Sequence, residues 1–172
     1  MPTDVLVPPF PLLGEPGAWD VLTLVAATIF LEAQDEPWEG LLGVGYVIRR
    51  RAVDWTLGWH GAVLGPDQRA YDDGRDFEPY SCWNSDYRGR ALARLSTATP
   101  AMAEPSWKAG AAALWALLPD PVNGATFYLR LDATRTMRGG TLPAWAADPA
   151  DVTQVDASKV TAVIGHHHFL RA

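Results

Sequence analysis

Apolar positions recur at helical spacing early in the chain. Leu22, Val25, Ala26, Ile29 and Phe30 form one buried stripe, with Asp20 or Thr23 as its cap, and predict a helix that ends near Ala33. Gln34, Asp35 and Glu36 make a short polar link. Pro37, whose missing N–H is harmless in a first turn, starts a second helix that runs to about Val53. Its inner face reads Leu41, Leu42, Gly45, Ile48 and Ala52. Gly40, Gly43 and Gly45 weaken it intrinsically and make sense where another backbone packs closely. A short helical piece is expected between Trp55 and Leu64, then a long irregular stretch from Gly65 to Asn84. Two further helices follow, about Tyr87 to Ala98 and Ser106 to Leu118. The second has Ser106 as cap and Trp107, Ala111, Leu114, Trp115 and Leu118 on its buried side.

The pattern then changes. Asp120-Pro121-Val122-Asn123-Gly124 is a turn signal, Ala125 to Leu131 reads as a strand, and a last strand region spans Val160 to Leu170. Helices first and a small sheet last argue for an α+β domain, mainly helical with a small C-terminal antiparallel sheet. Residues 1–19 form an N-terminal extension and 20–172 a single domain. No repeat or low-complexity tract is visible.

Composition changes this picture little. The net charge of −6 offers no basic stripe for a nucleic acid and no attraction to anionic membranes. Arg49, Arg50 and Arg51 are the one basic run. On a helix they point three ways, which reads as a solvated or capping cluster rather than a groove. Val21 to Leu31 is about half the roughly 20 residues a bilayer span requires, so no membrane insertion is expected. Met1 to Leu13 lacks the basic region of a signal peptide, so the product is expected to be made in the cytoplasm without a secretion address. Eight tryptophans stand out. They fit either sugar-stacking platforms or a Trp-rich core.

Few residues suggest chemistry on their own. Glu32 closes an apolar helix where negative charge is disfavoured. Shielding by Phe30 and Leu31 would favour the protonated form that a general acid needs, although an exposed glutamate ending a helix looks the same. Cys82 reads as a small, partly buried thiol. Of His166, His167 and His168, only the outer two share a strand face. A third metal ligand would have to come from His60 or a distant carboxylate, and no HExxH spacing exists, so neither metal nor cofactor is assigned.

Several blocks in order carry more. Ile29-Phe30-Leu31-Glu32-Ala33-Gln34-Asp35-Glu36-Pro37-Trp38-Glu39-Gly40, continuing through Val44 to Arg50, resembles the opening motif of the SleB/CwlJ cell-wall hydrolases. Tyr80-Ser81-Cys82-Trp83-Asn84, Asp120-Pro121 with Asn123 to Tyr128, Leu142-Pro143-Ala144-Trp145, and Ile164 to Phe169 are similar to that family's later blocks, in the same order. The resemblance spans about residues 20 to 170. Arg49 stands where the family has asparagine, and Asp35 where it commonly has glycine.

The resemblance implies a lysozyme-like fold and action on peptidoglycan glycan strands. Glu32 would protonate the oxygen between N-acetylmuramic acid and N-acetylglucosamine. As in a lytic transglycosylase, it would then act as base on the muramic C6 hydroxyl. Ser81, Trp83, Asn84, Thr126, Tyr128 and His168 would border the sugar site. A water-using muramidase would need a second carboxylate, for which Asp35, Glu36, Glu39, Asp76, Glu78 and Asp86 are candidates. A non-catalytic phage tail component and a zinc amidase or peptidase are the other readings. With no signal peptide, a phage lysin or a virion tail hydrolase acting on the wall, alongside other tail proteins, is the expected setting.

Overall fold

The computed structural model describes residues 10, 14–65, 80–83 and 85–171, without the side chains of Ser81, Ser85 and Asp86. Helix α1 (Val21–Ala33) begins where expected, because the Asp20 carboxylate accepts the Thr23 N–H at 3.0 Å. It is apolar all round and buried from Thr23 to Leu31. That suits a central helix, and α2 (Trp38–Asp54), α3 (Gly58–Leu64), α4 (Ser85–Ser96) and α5 (Pro100–Leu114) surround it.

Pro37 is the N-cap of α2 rather than its first residue, and its carbonyl accepts from Gly40 and Leu41 to open the helix. The α2 glycines mark close approaches. A Cβ on Gly43 would lie 2.7 Å from Val122 and 2.8 Å from the Phe169 ring, and one on Gly45 would lie 2.8 Å from Ala113.

Helix α5 departs from expectation. It starts six residues before Ser106, with Thr99 as cap and Pro100 in the first turn, and it carries Pro105 inside. Ser106 is a buried residue within the helix. Its packed face is made of Ala103, Ser106, Ala109, Gly110, Ala112 and Ala113, small enough for α1 to come close. Trp115 and Leu118, expected to be buried, are exposed beyond its end.

The chain then forms β1 (Phe127–Arg130), which runs directly into α6 (Leu131–Met137), a helix the pattern does not predict. A two-stranded ribbon, β2 (Ala147–Asp148) with β3 (Asp151–Val155), precedes a hairpin of β4 (Val160–Ile164) and β5 (His167–Leu170). The single last strand is thus two, broken at Gly165, whose φ of +55° an L side chain rarely adopts. The main sheet is antiparallel in the order β1-β5-β4. Tyr128 and Phe169 pack on the helical core, while Phe127, Leu129 and Leu170 turn to a smaller core with Ala146 and Trp145. The whole is a mainly helical α+β domain with a small antiparallel sheet toward its C-terminus. Among the described residues no helix is long and apolar enough to cross a membrane.

Candidate functional site

Glu32 is the penultimate residue of α1 and half-buried. It faces a groove of about 680 Å³ whose walls come from the ends of many elements. Leu31 and Glu32 supply the α1 end, Tyr80 and Cys82 the 3₁₀ turn Ser81–Trp83, and Tyr87, Arg90 and Arg94 the α4 side. Residues of β1 and α6, together with Trp145 and His167, complete the lining.

The carboxyl of Glu32 has two donors from one residue. The Cys82 N–H lies 3.4 Å from Oε1, and the Cys82 thiol also hydrogen-bonds the carboxylate. Burial, then the adjacent Glu32 charge, pushes the thiol well above its usual range, so it stays protonated and donating. The same pair of causes raises the hydroxyls of Tyr80 and Tyr128. Arg94 answers the helix-end problem posed by Glu32. Its Nη1 donates to the Leu31 carbonyl at 3.1 Å, placing a cation at the C-terminus of α1.

The three-arginine run does point three ways, with Arg49 and Arg50 half-buried and only Arg51 buried. Arg49 donates to the Leu114 carbonyl at 2.6 Å and caps α5. Arg50 pairs with Asp120. Arg51 is buried at the groove, contrary to the expectation, with Nε on the Thr126 carbonyl at 2.8 Å and its guanidinium 4.9 Å from the Phe127 ring centre.

The expected sugar-site residues separate. Tyr128 lines the groove, its ring edge-on to His167 at 4.9 Å. Trp83 does not line it. Its indole is buried and donates to the Thr28 hydroxyl at 2.9 Å, which pins the 3₁₀ turn against α1 and so sets Cys82 beside Glu32. Thr126 is also absent from the lining, since it lies just before β1 and its hydroxyl is buried. Only the backbone of Ser81 is described, and Asn84 lies outside the described residues. His168 belongs to the other sheet face, and His167 takes the groove-facing position. His166 and His168 do not share a strand face as expected, because β5 begins at His167 with His166 in the turn before it. The middle histidine packs toward the helical core, and it is His166 and His167 that approach Glu36. Burial drives the pKa of His167 down to about 4, against the opposing charge of Glu36, and leaves it neutral at ordinary pH.

Sequence reasoning also missed Phe127, Arg90, Arg130 and Arg138. Phe127 stacks on Trp145 with ring centres 4.7 Å apart and planes 24° from parallel, a flat aromatic surface on the groove wall. The unbroken Arg90-x₃-Arg94 spacing on a helix was the available signal for a basic wall.

The other carboxylates have other tasks. Asp35 lies 3.2 Å from Arg130. Glu36 is fully buried and accepts the His166 N–H at 2.8 Å. Glu39 is exposed in the first turn of α2. Asp76 and Glu78 lie outside the described residues, as does the Asp86 side chain. Among the described residues no three His, Cys, Asp or Glu converge as metal ligands, and a His60 ring nitrogen lies 2.9 Å from the Trp19 carbonyl.

No family model matches the chain, and no curated protein or solved structure matches it significantly.

Proposed function

We propose that this protein is a glycosidase of the peptidoglycan backbone, a lytic transglycosylase in which Glu32 serves as acid and then as base. The observation that carries this reading is the placing of Glu32. It is the one acid among the described groove-lining residues, held by the Cys82 N–H beside an aromatic wall of Phe127, Tyr128 and Trp145. Stacked aromatic faces suit the apolar faces of sugar rings. The ordered likeness to SleB/CwlJ hydrolases names the polymer.

In the proposed reaction the Glu32 proton passes to the glycosidic oxygen as the C1–O bond of the muramoyl sugar breaks. The resulting carboxylate takes the proton of that sugar's C6 hydroxyl, whose oxygen bonds to C1 and closes a 1,6-anhydro ring. One carboxyl suffices, no water is consumed and no cofactor is needed. The expected setting is that of a phage lysin or tail-associated hydrolase acting on the wall.

Mass spectrometry of purified peptidoglycan after digestion tests the reading. Anhydromuramic ends are expected, and Glu32→Gln should reduce their release by at least about 100-fold. Reducing muramic ends would instead make the enzyme a muramidase. Peptide ends that vanish with a chelator would make it a zinc amidase, and equal, near-zero release by both proteins would leave a non-catalytic tail component.

A further inference from the structure

The described groove lining carries Arg51, Arg90, Arg94, Arg130 and Arg138 against the single acid Glu32, in a chain whose net charge is −6. An acidic protein that gathers guanidinium groups in one concavity has a local field opposite to its overall charge. Two of these groups are already engaged, Arg51 under the aromatic wall and Arg130 at 3.2 Å from Asp35. Arg94 gives an N–H to the Leu31 carbonyl, which leaves its charge uncompensated. Arg90 and Arg138 are exposed and have no side-chain ion pair or hydrogen bond among the described residues. They come from different elements of the groove lining, Arg90 one turn before Arg94 on α4 and Arg138 just past the end of α6.

Where the muramoyl lactyl carboxyl is amide-bonded to its stem peptide, the N-acetylated sugars are neutral and offer these cations nothing but hydroxyl and amide oxygens. We propose that these arginines bind the free carboxylates of stem peptides hanging from the muramoyl sugars on either side of Glu32, making the enzyme selective for peptide-bearing glycan. This rests on the glycosidase reading above. Guanidinium matches a carboxylate with two parallel hydrogen bonds, and charges carried by separate elements of one groove suit substituents that leave the glycan at different points. Phosphodiesters of wall polymers share the anionic chemistry and are separated in the test.

The test is binding of the full chain carrying Glu32→Gln to three insoluble polymers. The first is peptidoglycan freed of phosphate-containing polymers by hydrofluoric acid, the second the same material stripped of stem peptides by an amidase with the lactyl carboxyls this exposes capped as neutral amides, and the third such stripped and capped glycan that keeps its phosphodiester polymer. Binding to the first should be about tenfold tighter than to the second at low salt, with the gap closing at high salt. Replacing Arg90 and Arg138 together by Gln should weaken binding to the first about fivefold and leave the second unchanged, and Lys at both positions should restore part of the loss. Equal affinity for the first two, preference for the third alone, or an equal loss on both from the double variant would overturn the proposal. Cleavage by the wild type is scored separately. Cleavage with peptide-indifferent binding defeats this inference alone, whereas peptide-dependent binding without glycan cleavage defeats the glycosidase reading alone.

Discussion

Glu32 helps to set the state of its neighbour Cys82. Burial and then the neighbouring Glu32 charge both disfavour a thiolate, so Cys82 keeps its proton and can donate to Glu32. At pH 8 the folded protein should therefore react with a disulfide reagent more than about tenfold more slowly than the denatured chain, as followed by chromophore release. Cys82→Ala removes the thiol donor but keeps the N–H, so kcat should fall several-fold at nearly constant KM, and Cys82→Ser should recover most of it. His167 gives a different pH signature. Its folded pKa of about 4 lies below the ordinary 6.5, so between these values the unfolded chain binds the extra proton. The contribution from keeping the ring neutral is complete above pH 6.5 and is lost as pH falls toward 4, by at most about 3 kcal/mol. Thermal melts at pH 7 and pH 4.5 should show a smaller acid-induced drop for His167→Phe than for the wild type.

Between elements, the link from α1 to α2 is tied to the hairpin of β4 and β5 through Glu36. Its carboxylate, fully buried, accepts the His166 N–H at 2.8 Å and lies 3.2 Å from the His166 ring nitrogen. Gly165 permits this contact, since a Cβ there would fall 1.8 Å from Oε2 of Glu36. Glu36→Ala should cost about 1–2 kcal/mol by removing the charged acceptor of the part-buried His166 N–H. Gly165→Ala should cost more, from its positive φ and the collision together. Because the collision is with Glu36 itself, the double variant should be less unstable than the sum of the singles in denaturant melts, and strict additivity would refute the contact. None of this could be read from the residues, because Glu36 looked like a solvated link and Gly165 an interruption of one strand. The helices α1 and α2 were legible, since their apolar stripes and the Asp20 cap are local signals. Helix α5 was misplaced because Pro105-Ser106 mimics a helix start, whereas Thr99-Pro100 is the start the chain uses.

Across the whole molecule, the ambiguity of eight tryptophans resolves by division. Trp19 and Trp83 are buried in the main core and Trp59 and Trp107 pack against it, Trp145 belongs to the groove wall, Trp55 lies against Phe127, and Trp38 and Trp115 are exposed. Composition could not divide them because burial depends on long-range packing, which also decides that Trp83 serves the site from behind. Glu32 could be singled out as a carboxyl closing an apolar helix, a local signal, and the structure puts it on the groove. The groove was not, since Arg90, Phe127, Arg138 and Trp145 meet only after the sheet closes against the helices. This arrangement couples the site to the core. The Trp83 indole on Thr28 fixes the turn that holds Cys82 on Glu32, and α1, which carries both Thr28 and Glu32, packs against α2, α3, α4 and α5. The site should therefore have no stability of its own. In a urea series, loss of glycan cleavage and the shift in tryptophan emission should share one midpoint, as a two-state domain requires. Trp83→Phe, which keeps the ring but loses the indole donor, should lower that common midpoint by the equivalent of about 1–2 kcal/mol. If activity disappears at clearly lower urea than the emission change, the groove opens independently and the proposed coupling through Trp83 is wrong.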